Sequence, residues 1–323
     1  MYKIQCELCP RYCLIAPGES GDCRIRVNID GELIAVTYGH PCALHVDPIE
    51  KKPLFHFLPG SDVFSIATVG CNLHCKNCQN WEISQQPPVK VPAYKVLPEQ
   101  VAELMEKYRC ESTAYTYTDP SVFYEYALDS SIEVRKKNKR NVLVTAGYFN
   151  PKPLKELCKY TDAANVDLKA FSNEFYQNVC SATLKPVLNS LVIMRNAEIH
   201  IEVTNLLLPT LNDSDKDITN LCRWVKENLG KEIPLHFSRF SPQYRMRNLP
   251  PTSVSTLRKA KEIAESLGMQ YVYIGNVAGR NFENTFCPKC KSLLVERIGY
   301  IVKKNIIKDG KCPFCGTIIY GIW

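Results

Sequence analysis

Between residues 64 and 276 the chain repeats one pattern, a short apolar run of strand length followed by a stretch with apolar residues at helical spacing. Strands are expected over residues 64–69, 112–118, 141–147, 163–170, 200–208, 234–240 and 270–276. Between them, Val101, Leu104, Met105 and Tyr108 recur at i, i+3, i+4, i+7 after Pro98. Ile218, Leu221, Cys222 and Val225 do the same after Asn212-Asp213-Ser214, a capping-type stretch. Pro251 opens a third helix, with Val254, Leu257, Ala260, Ile263, Ala264 and Leu267 on one face. Strands alternating with helices build βαβ units and a parallel sheet, so the fold class is α/β. Periodicity does not choose between an open sheet and a barrel.

The flanks break the pattern. Residues 1–60 are rich in Pro and Gly turns, and Asp30-Gly31 between runs 25–29 and 32–37 signals a hairpin. After residue 279 two paired-cysteine turns enclose strand-like segments 293–301 and 305–307. The division is a Cys-rich module (1–60), an alternating domain (61–279) and a short C-terminal appendage (280–323). No apolar run approaches the ~20 residues of a membrane span, and the start lacks the apolar core of a signal peptide. The cytoplasm is therefore the expected compartment, and there clustered thiols are metal ligands before they are disulfides.

The sixteen cysteines fall into groups. Cys71, Cys75 and Cys78 form a C-x3-C-x2-C run directly after the first expected strand of the alternating domain, at the edge where parallel α/β folds build active sites. Three thiolates, unlike four, leave one iron of a 4Fe–4S cube open for a substrate or cofactor. Zinc is the lesser reading, because no fourth ligand lies nearby. Cys287, Cys290, Cys312 and Cys315 make two Cys-Pro-x-Cys knuckles, which aim four thiolates at one tetrahedral ion. Zinc is favoured there over a rubredoxin-like iron, as a staple for a segment too short for its own core. Cys6, Cys9, Cys13 and Cys23 suit either zinc or a second 4Fe–4S cluster, and their spacing does not choose. His40, His45 and Cys42 are spare ligands or plain loop residues, while Cys110, Cys158, Cys180 and Cys222 read as small buried hydrophobes.

The formal charge of +7 counts every thiol as neutral. Three thiolates on a 2+ cluster core and four on zinc leave about +4, and a 2+ ion on the N-terminal quartet would leave about +2. The one dense basic run, residues 135–140, closes an expected helix, where cations complement the helix dipole. Charge therefore gives nucleic acid little support as a partner.

The C-x3-C-x2-C loop, together with Asp47-Pro48-Ile49-Glu50-Lys51-Lys52-Pro53-Leu54, Cys78-Gln79-Asn80, Ala114-Tyr115-Thr116-Tyr117-Thr118-Asp119-Pro120 and His236-Phe237-Ser238-Arg239-Phe240, resembles the radical S-adenosylmethionine (SAM) enzymes. Residues 6–23, and Tyr273-Ile274-Gly275-Asn276-Val277 through Cys315, extend the resemblance over nearly the whole chain. Within that superfamily it is similar to relatives of pyruvate formate-lyase activating enzyme, above all to the radical SAM proteins of the AmmeMemoRadiSam system. The resemblance implies a partial (β/α)6 barrel. It also implies a reduced 4Fe–4S cluster that splits SAM into methionine and a 5′-deoxyadenosyl radical, which abstracts a hydrogen atom.

Site roles follow from the same resemblance. Thr118 and Asp119 stand where relatives hold the SAM amine, although the usual Gly-Gly-Glu is absent. Asp167 and Lys169 match an Asp-x-Lys strand end, and Lys169 would pair with the SAM carboxylate. His236 would meet a ribose hydroxyl, and Asn80 lies beside the cluster loop. Thr145-Ala146-Gly147 and Asn77 depart from the relatives' Thr-Asn-Gly and aromatic. A reductant such as ferredoxin or flavodoxin is implied, with a glycyl-radical partner protein as one candidate substrate. A partial barrel keeps a lateral opening, which residues 55–60 and the C-terminal hairpin would border as rigid walls suited to a protein or peptide. The rival of another class is a zinc-rich nucleic-acid-binding protein.

Overall fold

The computed structural model describes residues 2–277 and 282–323. The boundary between residues 279 and 280 lies outside them. β1 (Ile4–Gln5) pairs with β2 (Leu14–Ile15), and β3 (Arg26–Ile29) with β4 (Glu32–Ala35). Asp30 and Gly31 join that hairpin with φ of 51° and 92°, the positive values a tight two-residue turn needs. Next come β5 (Ala43–Pro48), β6 (Asp62–Ala67), α1 (Trp81–Ser84), α2 (Pro98–Lys107), β7 (Ser112–Tyr115), α3 (Tyr124–Lys136) and β8 (Arg140–Thr145). α4 (Pro151–Cys158), β9 (Ala163–Asp167) and α5 (Asn173–Phe175) follow, the last running into a π-turn at Tyr176–Cys180. α6 (Leu184–Asn196), β10 (His200–Leu207), α7 (Asp215–Asn228), β11 (Leu235–Arg239), α8 (Val254–Ser266) and β12 (Val272–Gly275) end the alternation. β13 (Thr285–Phe286), β14 (Leu293–Ile298) and β15 (Ile301–Asn305) form an antiparallel sheet of their own.

β5 to β12 form one eight-stranded sheet in chain order. β6 through β12 are parallel, and they are the expected strands; β6 lies two residues earlier than expected, and the other six are a little shorter than the apolar runs that announced them. β5 pairs antiparallel with β6, from Ala43 opposite Ala67 to Pro48 opposite Asp62. The first sixty residues thus lend a strand to the central sheet. α7 and α8 start where a serine hydroxyl accepts the third backbone N–H, Ser214 from Asp217 and Ser253 from Thr256. The last helix therefore opens at Val254, after Ser253, and not at Pro251.

Period-two alternation sorts the strand residues between two cores. Phe64, Ile66, Tyr115, Leu143, Val166, Ile201 and Phe237 join the main core with the helices. Val63, Ala114, Val142 and Ala163, on the other face, pack with Ile49, Leu54 and Phe57 from the β5–β6 connection. That connection plugs the inner face of the sheet near the strand starts and leaves the strand ends free. The basic run closing α3 is paired with carboxylates: Arg135 and Arg140 with Asp162, Lys136 with Glu133, Lys137 with Glu106 and Lys139 with Glu111. No helix among the described residues is long and apolar enough to cross a membrane.

The polar centre of the inner face is Glu202 on β10, fully buried. It accepts from His236 Nε2 at 2.6 Å, His200 Nε2 at 3.1 Å and the His56 backbone N–H at 2.7 Å. Burial alone would raise its pKa, but the His200 and His236 hydrogen bonds hold it well below the carboxylate range. Removing the acceptor while leaving its donors buried predicts that Glu202→Ala costs about 3 kcal/mol, read from chemical denaturation. The folded-state pKa is depressed, so the contribution is present above the ordinary value of 4.5 and is lost as pH falls through the folded-state value. The stability gap between wild type and Glu202→Gln should therefore hold near neutrality and narrow as pH drops below about 4.5.

Candidate active site

The loop after β6 begins at Gly70, whose φ is +94°. A Cβ there would lie 2.6 Å from the Cys23 carbonyl oxygen and 2.8 Å from Ile25 Cγ2, so only glycine lets the N-terminal module pack this closely. The loop is then fixed by its own backbone. Gly70 N–H donates to Ile83 O (2.9 Å), His74 N–H to Cys180 O (3.0 Å) and Lys76 N–H to Val179 O (2.9 Å). Asn72 Nδ2 donates to Tyr148 O at 2.8 Å, and Cys78 Sγ lies 3.2 Å from Ser84 Oγ.

Cys71, Cys75 and Cys78 line a cavity of about 700 Å3 at the C-terminal ends of the parallel strands. Asn80, Thr118, Asp119, Asp167, Lys169 and His236 line it too, so every residue expected around SAM reaches one space. Lys169 Nζ pairs with Asp167 Oδ2 at 2.9 Å. Burial works against its charge, but Asp167 and the nearby Cys75 thiol raise the ammonium pKa well above its ordinary value. Asp119 is fully buried and already engaged, accepting from Thr145 Oγ1 (2.9 Å) and from the Ala146 (2.8 Å) and Ser121 (3.0 Å) backbone N–H groups. Thr118 Oγ1 donates to Thr68 O at 2.9 Å, and Asn80 Nδ2 to Tyr117 O at 2.8 Å. Two buried oxygens of cavity-lining residues, Asn77 Oδ1 and Thr204 Oγ1, have no hydrogen-bond partner, as a site shaped for a polar ligand requires.

Residues 65–224 match the Radical SAM superfamily. An uncharacterized protein of Methanocaldococcus jannaschii is 46% identical over 98% of this chain and 95% of its own length. The pyruvate formate-lyase-activating enzyme of Clostridium pasteurianum is 19% identical over 61% of this chain and 88% of its own. A crystal structure of a radical SAM methyltransferase from Sphaerobacter thermophilus matches with a TM-score of 0.54 at 13% identity, covering 68% of each chain. The chain belongs to the radical SAM superfamily. It is a radical SAM enzyme with the superfamily's α/β partial barrel, and its family cofactors are a 4Fe–4S cluster and SAM. Three thiols beside a cavity with unpaired polar groups fit both.

Two features of this radical SAM site escaped the sequence reading. Cys180 ends the π-turn behind the loop, where its carbonyl oxygen accepts from the His74 N–H, one residue before Cys75, at 3.0 Å. The signal in the sequence was a lone cysteine with no partner at motif spacing. The second is the Asp47 cluster on the cavity flank. Asp47 accepts from Lys51 Nζ (2.7 Å), Lys52 Nζ (2.7 Å), Ser65 Oγ (2.8 Å) and the Tyr117 hydroxyl. Burial lowers the Lys52 ammonium to about 8, against the pull of Asp47. Phe55 lines the cavity as expected, but His56, Phe57 and Leu58 turn away to pair with Tyr320 and Ile322.

The C-terminal quartet could hold a single ion. Its four sulfurs lie within 4.8 Å of one another, with Cys287–Cys315 and Cys290–Cys312 both at 3.6 Å. The Thr317 hydroxyl and backbone N–H lower the Cys315 thiol pKa, which favours a thiolate ligand. Gly70→Ala tests the packing of the cluster loop. With both positive φ and a backbone clash, it should cost about 1–3 kcal/mol in denaturant titration. Gly18→Ala, at φ +78° with open space around its Cβ, should cost less.

Proposed function

We propose that Cys71, Cys75 and Cys78 each bind one iron of the catalytic cluster, and that Lys169 and His236 orient SAM beside it. The observation that carries this reading is their convergence on one cavity at the strand ends. When bound, the cluster and SAM supply a 5′-deoxyadenosyl radical for hydrogen abstraction. The chain's own part is positioning. Lys169 presents an ammonium to the SAM carboxylate, and Glu202 holds the His236 ring toward the ribose. Asp119 acts by tying the ends of β7 and β8 together, because its oxygens already accept three hydrogen bonds. Thr118, Asp167 and Asn80 complete the wall, and Thr204 adds a free hydroxyl.

The substrate we propose is a peptide or a segment of a partner protein. The cavity is within the ~300–1,000 Å3 range of ligand pockets, enough for SAM and a side-chain-sized part of a substrate. Its outer walls are fixed: Arg297 donates to Phe55 O (2.6 Å) and lies 3.4 Å from Glu50 Oε1, so the Glu50–Phe55 wall and the C-terminal hairpin are locked together. Fixed walls suit a partner that carries its own fold better than a metabolite needing enclosure. A narrower reading, a glycyl-radical activase, is supported by the similarity to the Clostridium enzyme. The motif stretches quoted above favour placing the chain with the AmmeMemoRadiSam-system proteins, supplied with electrons by a ferredoxin or flavodoxin. Zinc is the ion proposed for the C-terminal quartet: 3.6 Å between sulfurs matches the roughly 3.8 Å edge of a tetrahedron with 2.3 Å metal–sulfur bonds, and a redox-silent ion suits a staple for a segment with a small core.

Replacing Cys71, Cys75 and Cys78 by alanine should abolish dithionite-driven formation of 5′-deoxyadenosine, measured by chromatography. About one zinc per chain should remain in the same variant by elemental analysis. Persistent 5′-deoxyadenosine would refute the cluster assignment, and a rubredoxin-like spectrum would refute zinc. For the substrate, turnover in desalted extract should move deuterium from labelled protein into 5′-deoxyadenosine. Transfer from labelled small molecules alone would exclude the peptide reading.

A further inference from the structure

The β14–β15 hairpin is fixed at the cavity yet leaves one edge and one face uncovered. Its two-residue turn, Gly299-Tyr300, lines the cavity, and Tyr300 is 47% exposed, which places the turn at the cavity mouth. The inward face of the hairpin is anchored. Arg297 is buried and donates to Phe55 O (2.6 Å), Glu283 O (3.0 Å) and Thr285 Oγ1 (2.9 Å). Val302, opposite Arg297 in the ladder, shares that face, and its Cβ lies 3.5 Å from where a Cβ on Gly60 would stand. The next pair, Ile298 opposite Ile301, points the other way and is 61% and 60% exposed. Apolar residues scattered over a surface need no explanation, but three large ones around a turn at a cavity mouth mark a contact surface.

β15 is an edge strand, and among the described residues no strand pairs with its outer side. Lys303 and Lys304 on it are exposed and form no ion pair among the described residues; Glu296, opposite Lys304 in the ladder, is half-buried. Edge lysines discourage pairing with a second copy of the same strand, because like charges would then face each other. They leave the edge open to a strand of opposite charge. Edge, apolar pair and cavity are continuous, since β15 starts directly after the turn that lines the cavity. We propose that β15 is the docking edge for the substrate protein: an extended acidic segment of the partner pairs with Ile301–Asn305, sets apolar side chains against Ile298 and Ile301, and leads past Tyr300 into the cavity. Backbone pairing supplies affinity and alternate side chains supply selectivity, as in other peptides that extend a sheet. Unstacked bases of a nucleic acid call for aromatic platforms and guanidinium planes, whereas Ile298 and Ile301 are aliphatic and the cations on β15 are lysines. The docking edge rests on the protein or peptide reading of the substrate.

Four exposed side chains test it without touching the cavity wall. Ile298→Asp with Ile301→Asp, and separately Lys303→Glu with Lys304→Glu, should each lower deuterium transfer from labelled protein in desalted extract into 5′-deoxyadenosine by roughly tenfold or more. Lys303→Arg with Lys304→Arg should keep that transfer. Dithionite-driven 5′-deoxyadenosine formation without extract should stay at the wild-type rate in all three. Should a double variant lose its far-UV circular dichroism, the single changes Ile301→Ser and Lys303→Glu carry the test. Wild-type transfer in the charge-reversed and Asp variants overturns the docking edge and leaves the protein substrate standing. A wild-type enzyme that draws deuterium from labelled small molecules alone overturns the substrate reading and the edge with it. Transfer that disappears when the extract is treated with nuclease assigns the surface to nucleic acid and overturns the proposal.

Discussion

The carboxylate of Glu202 ties the central sheet to the connection that packs against its inner face. It binds β10 to β11 through His236 and captures the β5–β6 connection through the His56 backbone. The link continues outward. His56 Nδ1–H donates to Tyr320 O and its Nε2 accepts from the Tyr273 hydroxyl, both at 2.6 Å. Burial depresses the His56 pKa to about 3, so the ring stays neutral and able to accept. Thr285 then joins Tyr273 (2.8 Å) to Arg297 (2.9 Å), which is itself buried. Arg297 is stabilised at this depth by donating to Phe55 O, Glu283 O and Thr285 and by the Glu50 carboxylate, whose Oε2 is itself left without a partner. The sheet interior, the plug and the appendage are thereby fixed as one unit.

That unit explains why the cavity lies where it does. Apolar packing of Ile49, Leu54 and Phe57 closes the inner face near the strand starts, so space remains only at the strand ends. The loops there bear the thiols and the Asp167–Lys169 pair. The appendage, too thin for a large core of its own, has a compact four-sulfur centre, while the N-terminal module packs the Cys23 carbonyl and Ile25 against Gly70 of the loop after β6.

Much of this was legible in the residues. Strand and helix periods located all seven parallel strands, because a sheet buried on both faces writes itself as apolar runs. The C-x3-C-x2-C loop pointed to the superfamily because cysteine spacing on a short loop is local. β5 was not legible as part of the sheet: its pairing with β6 crosses a thirteen-residue connection, and Leu44, His45 and Val46 look like a polar-flanked turn segment. Cys180 read as a solitary hydrophobe because the loop it backs, at His74 and Lys76, is distant in sequence and is reached only through the π-turn.

The sequence by itself determined the class of fold, the superfamily and the thiol groups, since periodicity, turn residues and ligand spacing are short-range properties of the chain. The tertiary structure decided what each polar group spends its hydrogen bonds on. It engaged Asp119 with the β8 end, left Thr204 and Asn77 unpaired toward the cavity, and buried Glu202 among histidines. It also set the four sulfurs of the C-terminal quartet within 4.8 Å of one another. Those outcomes depend on contacts between residues far apart in the chain, and only the packed fold brings them within bonding distance.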